Sequence, residues 1–139
     1  MYRWVDHTGE LELEINAPDE RTVFADALDA LHELAEADPT REPTGTAGPA
    51  GSSARDLELS ASDRATLLVE FLEELVFYSE TEDFVPDRLH HLELSDGMLR
   101  ATVEGHVGRP PHLVKAVTYH RLAFERSGEG WRAQVVFDV

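Results

Sequence analysis

Cysteine is absent from the 139-residue chain. That excludes disulfide staples and thiolate metal sites, and it fits a reducing compartment. Basic residues are scarce as well: 12 Lys and Arg stand against 28 Asp and Glu, a formal charge of −16. A field of that sign disfavours direct nucleic-acid binding, because phosphate contacts need clustered Lys and Arg. Two readings of the charge remain. The simpler is a solvated acidic surface; the other is steering toward a basic partner protein. The first residues hold no basic stretch leading into an apolar run, so no signal peptide is expected. No apolar run approaches the ~20 residues of a membrane span. A soluble, cytoplasmic protein is the expectation.

Familiar catalytic signatures are missing too. There is no Gly-rich phosphate loop ending in Gly-Lys-Ser/Thr, no dinucleotide fingerprint, no nucleophile elbow and no zinc-protease spacing of His, Glu and His. Seven histidines raise the question of a metal. His90 and His91 are adjacent in a strand pattern, so their rings point to opposite faces and cannot share one ion; one inward and one solvated ring is expected. His106 and His112 flank a Gly-Arg-Pro-Pro turn, where exposure is expected. His32 reads as surface on a helix flank.

What the chain does hold is clear periodicity. "ELELEI" alternates: Leu11, Leu13 and Ile15 face one way, Glu10, Glu12 and Glu14 the other, which is a half-buried strand. Phe24, Ala27, Leu28, Leu31, Leu34 and Ala35 recur at helical spacing, with Asp19 as cap and Pro39 as stop. Thr40 to Arg55 is rich in Pro, Gly, Ser, Thr and Ala and reads as a mobile loop. "DLELS" follows as a short strand. A second helix, capped by Ser62, carries the wide apolar face of Leu67, Leu68, Phe71, Leu72, Leu75 and Val76, suited to packing on a sheet. Four strands complete the chain, two of them hinged at Ser95-Asp96-Gly97. The order β, α, β, α, then four strands predicts an α+β two-layer sandwich, with two helices on a mostly antiparallel or mixed β-sheet. One domain over residues 1–139 is expected, since a chain of this length buries roughly 68% of its unfolded surface and needs no staple.

Three stretches raise chemical questions. In "KAVTYH", alternation places Thr118 and His120 with Val114, Ala116, Leu122 and Phe124, and Lys115, Val117 and Tyr119 on the other face. The simplest reading is a hydrogen-bonded core Thr and His. "DHTGE" reads as the polar beginning of a strand. The chain ends "RAQVVFDV", which places the Asp138 carboxylate one residue from the terminal carboxylate of Val139. Many chains end with such a group in water. The alternative is a hard cation held by these oxygens and by an acid from elsewhere, as Ca²⁺ or Mg²⁺ would be.

Taken together, four segments resemble the archease family: "DHTGELELEI", "LLVEFLEELVFYSETEDFV", "VKAVTYH" and "WRAQVVFDV". They occur in the right order and span nearly the whole chain. The resemblance implies a small α/β sandwich that binds a divalent ion, usually calcium, and performs no chemistry of its own. It implies a role in tRNA splicing, activating an RtcB-type RNA ligase by promoting guanylylation and repeated turnover. Carried over residue by residue, the metal ligands would be Glu10, Asp138 and Val139. His7, Lys115, Thr118, Tyr119 and His120 would lie around the ion or touch the partner. In one respect the chain departs from the family: Gly9-Glu10 stands where Ala-Asp is usual, and the longer Glu side chain still suits calcium's flexible geometry. A chaperone-like module for other RNA-modifying proteins and a metal-dependent hydrolase are the rival readings.

Overall fold

The computed structural model describes residues 1–36, 52–108 and 114–139. Strand β1 (Tyr2–His7) turns directly into β2 (Glu10–Ala17), followed by helix α1 (Glu20–Glu36), β3 (Ser52–Ser60) and helix α2 (Arg64–Glu82). The remaining strands are β4 (Phe84–Ser95), β5 (Met98–Val107), β6 (Ala116–Ser127) and β7 (Gly130–Asp138). Both helices pack on antiparallel sheets, as the α+β pattern predicts. The strands divide into two sheets, ordered β1-β2-β7-β6 and β3-β5-β4.

That division explains the wide apolar face of α2. The helix packs on β6 of the first sheet and on β3, β4 and β5 of the second. Leu67, Leu68, Val69, Phe71, Leu72 and Leu75 are all fully buried. Helix α1 likewise touches β1, β2 and β7 on one side and β4 on the other. Phe24 of α1 meets Phe71 of α2 edge-on, with centroids 5.5 Å apart. Leu13 and Ile15 from β2, Val135 and Phe137 from β7, and Leu99 and Val103 from β5 fill the same core. Each such side chain contributes about 1.5–3 kcal/mol by leaving water. No helix among the described residues is long and apolar enough to cross a membrane.

Local chemistry sets the helix starts. Asp19 Oδ1 accepts from the Thr22 N–H at 2.8 Å and caps α1, as expected. For α2 the cap is Asp63, one residue beyond the expected Ser62: Asp63 is extended at φ −147° and its carboxylate accepts from Thr66 N–H at 2.7 Å. The Leu67 N–H bonds the Asp63 carbonyl, which fixes the helix frame one residue later. At the other end, Asp83 closes α2 in the left-handed region (φ 54°) and donates its N–H to the Tyr78 carbonyl.

Strand β3 starts earlier than "DLELS" predicts. Ser53, Ala54 and Arg55 pair with Gly105, Glu104 and Val103, so the C-terminal part of the expected loop is strand. The rest of that loop lies outside the described residues. Arg55 has a structural place: Nη2 is 2.7 Å from Glu82 Oε1, and the guanidinium lies 4.6 Å from the Phe84 ring centroid.

The histidines differ from expectation in three ways. His90 and His91 are both exposed, near Glu104 and Glu93, because the β4–β5 register slips between Leu89 and His91. His106 is largely covered, its Nδ1 2.8 Å from Asp87 Oδ2. His32 is half-buried, with Nδ1–H donating to the Pro86 carbonyl at 2.8 Å and lying 3.4 Å from Asp87 Oδ1. Both depend on β4 crossing beside α1 and β5, a long-range arrangement that the local pattern does not carry. His112 lies outside the described residues.

Candidate metal centre

The site is assembled by strand register. "DHTGE" is a hairpin, with His7 opposite Glu10 across the turn residues Thr8 and Gly9. Gly9 sits at φ 75°, a conformation that costs glycine little. On the other side of β2, Glu10 pairs directly with Asp138 of β7. Directly opposed residues of an antiparallel pair project to the same face, with Cβ atoms ~4.5–5.5 Å apart. The two carboxylates therefore share one end and one face of the sheet.

The chain end is tied down. The Val139 N–H donates to the Gly9 carbonyl at 3.3 Å, and the Lys115 N–H donates to the Asp138 carbonyl at 2.8 Å. Val139 is half-buried. Register thus brings Glu10, Asp138 and Val139 together from opposite ends of the sequence.

Strand β6 supplies the remaining groups through an irregularity. Val117 pairs with Phe137 and Thr118 with Val136; pairing then resumes only at Ala123, opposite Gln134. The extra residues flip the alternation, so Val117 and Phe124 share the inner face, although positions 117 and 124 would fall on opposite faces of a regular strand. This overturns the expected arrangement of "KAVTYH". Val117 is buried, Ala116 and His120 are exposed, and Thr118 is half-buried, its Oγ1 accepting from the His120 N–H at 3.2 Å. Tyr119 is exposed in the same unpaired stretch, and Lys115 is exposed beside Asp138.

Two residues outside the expected set complete the polar face. Arg121, at φ 54° in the unpaired stretch, places Nη2 3.2 Å from Glu10 Oε2 and Nε 3.4 Å from Glu12 Oε1. Glu12, expected to face solvent, is only 8% exposed. It accepts from Gln134 Nε2 at 3.0 Å, and its other oxygen is 3.7 Å from His7 Nε2. Strand periodicity rightly places Glu12 on the face of Glu10, but does not show the contacts that Gln134, His7 and Arg121 make with it there. No signal in a single sequence marks the β6 bulge.

Among the described residues no three His, Cys, Asp or Glu side chains converge as a metal cage. The candidate donors are instead two side chains and a terminal carboxylate. Their chemistry fits a hard divalent cation: all are carboxylate oxygens, and calcium accepts such donors in flexible arrangements. The other residues of the expected set surround them, His7 beside Glu12, Lys115 at the Asp138 carbonyl, and Thr118, Tyr119 and His120 along the β6 irregularity.

Similarity to known proteins agrees with this frame. The protein archease of Methanosarcina barkeri is 27% identical over 149 residues, covering 100% of this chain and 96% of its own length. The protein archease of Pyrococcus furiosus is 37% identical over 93 residues, covering 60% of this chain and 66% of its own. Two solved structures share the fold. The solution structure of Methanobacterium thermoautotrophicum protein 1598 matches with a TM-score of 0.67 and 23% identity, covering 99% of this chain and 98% of that one. The crystal structure of an archease from Thermotoga maritima, described as a possible chaperone, matches with a TM-score of 0.65 and 19% identity, covering 100% and 98%. The archease family model matches residues 2–139, and the chain belongs to the archease protein family.

Proposed function

We propose that this chain is a metal-binding accessory protein that activates an RtcB-type RNA ligase in tRNA splicing and is not itself an enzyme. The observation that supports this best is the direct cross-strand pairing of Glu10 with Asp138, with Val139 tied to Gly9 beside them. Calcium is the proposed ion, with magnesium as a substitute; when bound, it supplies the positive charge that lets these carboxylates lie together. Glu10, Asp138 and Val139 hold it. Calcium takes 6–8 oxygen ligands, so a site built on this donor set keeps positions open for water or for a group of the ligase. Lys115, Tyr119 and His120 are exposed around the site and form the proposed docking surface. The cytoplasm is the proposed setting. The charge of −16 favours a protein partner over direct contact with RNA.

Multiple-turnover RNA ligation by the ligase from the same organism, with and without this protein and with calcium present, tests the proposal. Faster turnover and faster ligase guanylylation are expected, with no reaction from the protein alone. Activity of the protein alone would indicate a hydrolase. Binding to other RNA-modifying proteins without any effect on ligation would favour the chaperone-like reading, which the description of the Thermotoga maritima structure keeps in view.

A further inference from the structure

We propose that Arg121 is an internal counter-ion of this site: a divalent cation must displace its guanidinium from Glu10, so Arg121 sets the affinity of the site. The inference rests on the metal-binding reading above and adds a residue to it.

Three observations carry it. The first is reach. Glu10 lies on β2 and Arg121 on β6, with β7 between them, and neighbouring strands are ~4.8 Å apart. A regular β6 continuing from Thr118 opposite Val136 would set Arg121 opposite Ala133, far along β7 from Asp138, the partner of Glu10. Arg121 instead reaches Glu10 from the unpaired stretch between Thr118 and Ala123, with its backbone in the left-handed region at φ 54°. A side chain other than glycine is disfavoured there, so the contacts it gains must offset that strain.

The second is the asymmetry of the two contacts. Nε faces Glu12, whose side chain is 10% exposed and also held by Gln134. Nη2 faces Glu10, whose side chain is 34% exposed. Glu12 is therefore the anchor and Glu10 the releasable contact. The guanidinium can stay on Glu12 while Glu10 turns toward Asp138, its direct cross-strand neighbour.

The third is charge. Without a bound cation, the carboxylates of Glu10, Glu12, Asp138 and Val139 crowd one corner of the sheet. Arg121 supplies a fixed positive charge there, since a guanidinium does not titrate in the ordinary range. A half-exposed ion pair is a weak one, so a divalent ion with two or more carboxylates to bind competes well against it.

Calorimetric titration with calcium chloride of the full chain, Arg121→Gln and Asp138→Asn tests the proposal. Arg121→Gln keeps most of the side-chain length and removes the charge; its affinity should rise about 1.5- to 5-fold, the range set by losing a weak ion pair. Asp138→Asn should lose binding. In parallel, the Arg121 Nε–H resonance of the unmodified protein is followed by NMR as calcium is added, a readout that stands even if Arg121→Gln fails to fold. That resonance should shift with saturation, while those of Arg55 and Arg64, which pair elsewhere with Glu82 and Glu20, should stay in place. Equal or weaker affinity in Arg121→Gln, or a stationary Arg121 resonance, would overturn the counter-ion role and leave the site intact, provided Asp138→Asn abolishes binding. Absence of calcium binding in every form would overturn the site and this inference together.

Discussion

Glu10 and Asp138 face one another across β2 and β7, near opposite ends of the sequence yet direct partners in the sheet. The hairpin turn at Gly9 and the bonds to Val139 and Lys115 hold this corner in place. The site is thus a property of the sheet's register. A one-residue slip of β7 would send Asp138 to the other face.

The caps give a pH-dependent prediction. Asp63 accepts first from the Thr66 backbone N–H, and this holds its carboxyl below the ordinary range. A depressed folded-state value means that the stabilisation is fully present above the unfolded value, ~3.9, and is lost as pH falls through the folded value. Asp63→Ala should cost about 1 kcal/mol at pH 7, lowering Tm by about 3 °C. The Tm difference from the unmodified protein should shrink as pH drops below ~4. Melting curves at pH 7 and pH 2.5 check this, and a difference unchanged at low pH would contradict it.

Arg55 should matter more than its origin in a polar stretch implies. Its side chain is 18% exposed, paired with Glu82, and its guanidinium lies over the rings of Phe84 and Tyr78. Arg55→Ala should cost about 1–2 kcal/mol through lost cation–π and packing contacts, and Arg55→Lys should recover only part of it. Replacing residues 40–51 by a Gly-Ser linker of equal length should leave stability unchanged, because they contain no large apolar residue. Urea unfolding of the three variants separates these expectations.

Much of this frame is legible in the sequence because it is local. The alternation of Leu13 and Ile15 with Glu12 and Glu14 and the helical spacing of Phe24, Leu28 and Leu31 record which face meets the core. Asp96-Gly97 marks its hairpin, with Gly97 at φ 72°. The archease resemblance points to Glu10 and Asp138, and alternation alone places both on polar faces. The division into two sheets is not legible, since it depends on β5 lying between β3 and β4. Nor are Arg121 and buried Glu12. The apolar alternation of "LAF" continues past the bulge as though β6 were regular, and an arginine in a strand reads as solvent-facing.

The chain termini give a matched pair of variants. A C-terminal tag converts the Val139 carboxylate to an amide and adds bulk at the corner. An N-terminal tag instead removes the Met1 amine from its 2.6 Å contact with Asp26, at the opposite end of β2 from Glu10, where the amine also donates to the Asn16 carbonyl; the pair is worth at most about 1 kcal/mol. The C-terminal tag should weaken calcium binding and ligase stimulation while the circular dichroism spectrum is retained. The N-terminal tag should lower Tm slightly and leave calcium affinity unchanged. Equal calcium affinities for the two forms would remove Val139 from the donor set.

Calcium titration of Glu10→Ala, Asp138→Ala and Glu10→Asp beside the unmodified protein is the most direct test of the central claim, that two cross-strand carboxylates hold a divalent ion. Each alanine variant should lose calcium binding, together with the rise in Tm that calcium gives the unmodified protein. In the absence of calcium Asp138→Ala should melt no lower than the unmodified protein, because it removes one of two carboxylates that repel one another, whereas Glu10→Ala also gives up the contact with Arg121. Glu10→Asp should keep binding. Calcium affinity unchanged in both alanine variants would contradict the account, and the pairing of Glu10 with Asp138 would then be a feature of the sheet alone.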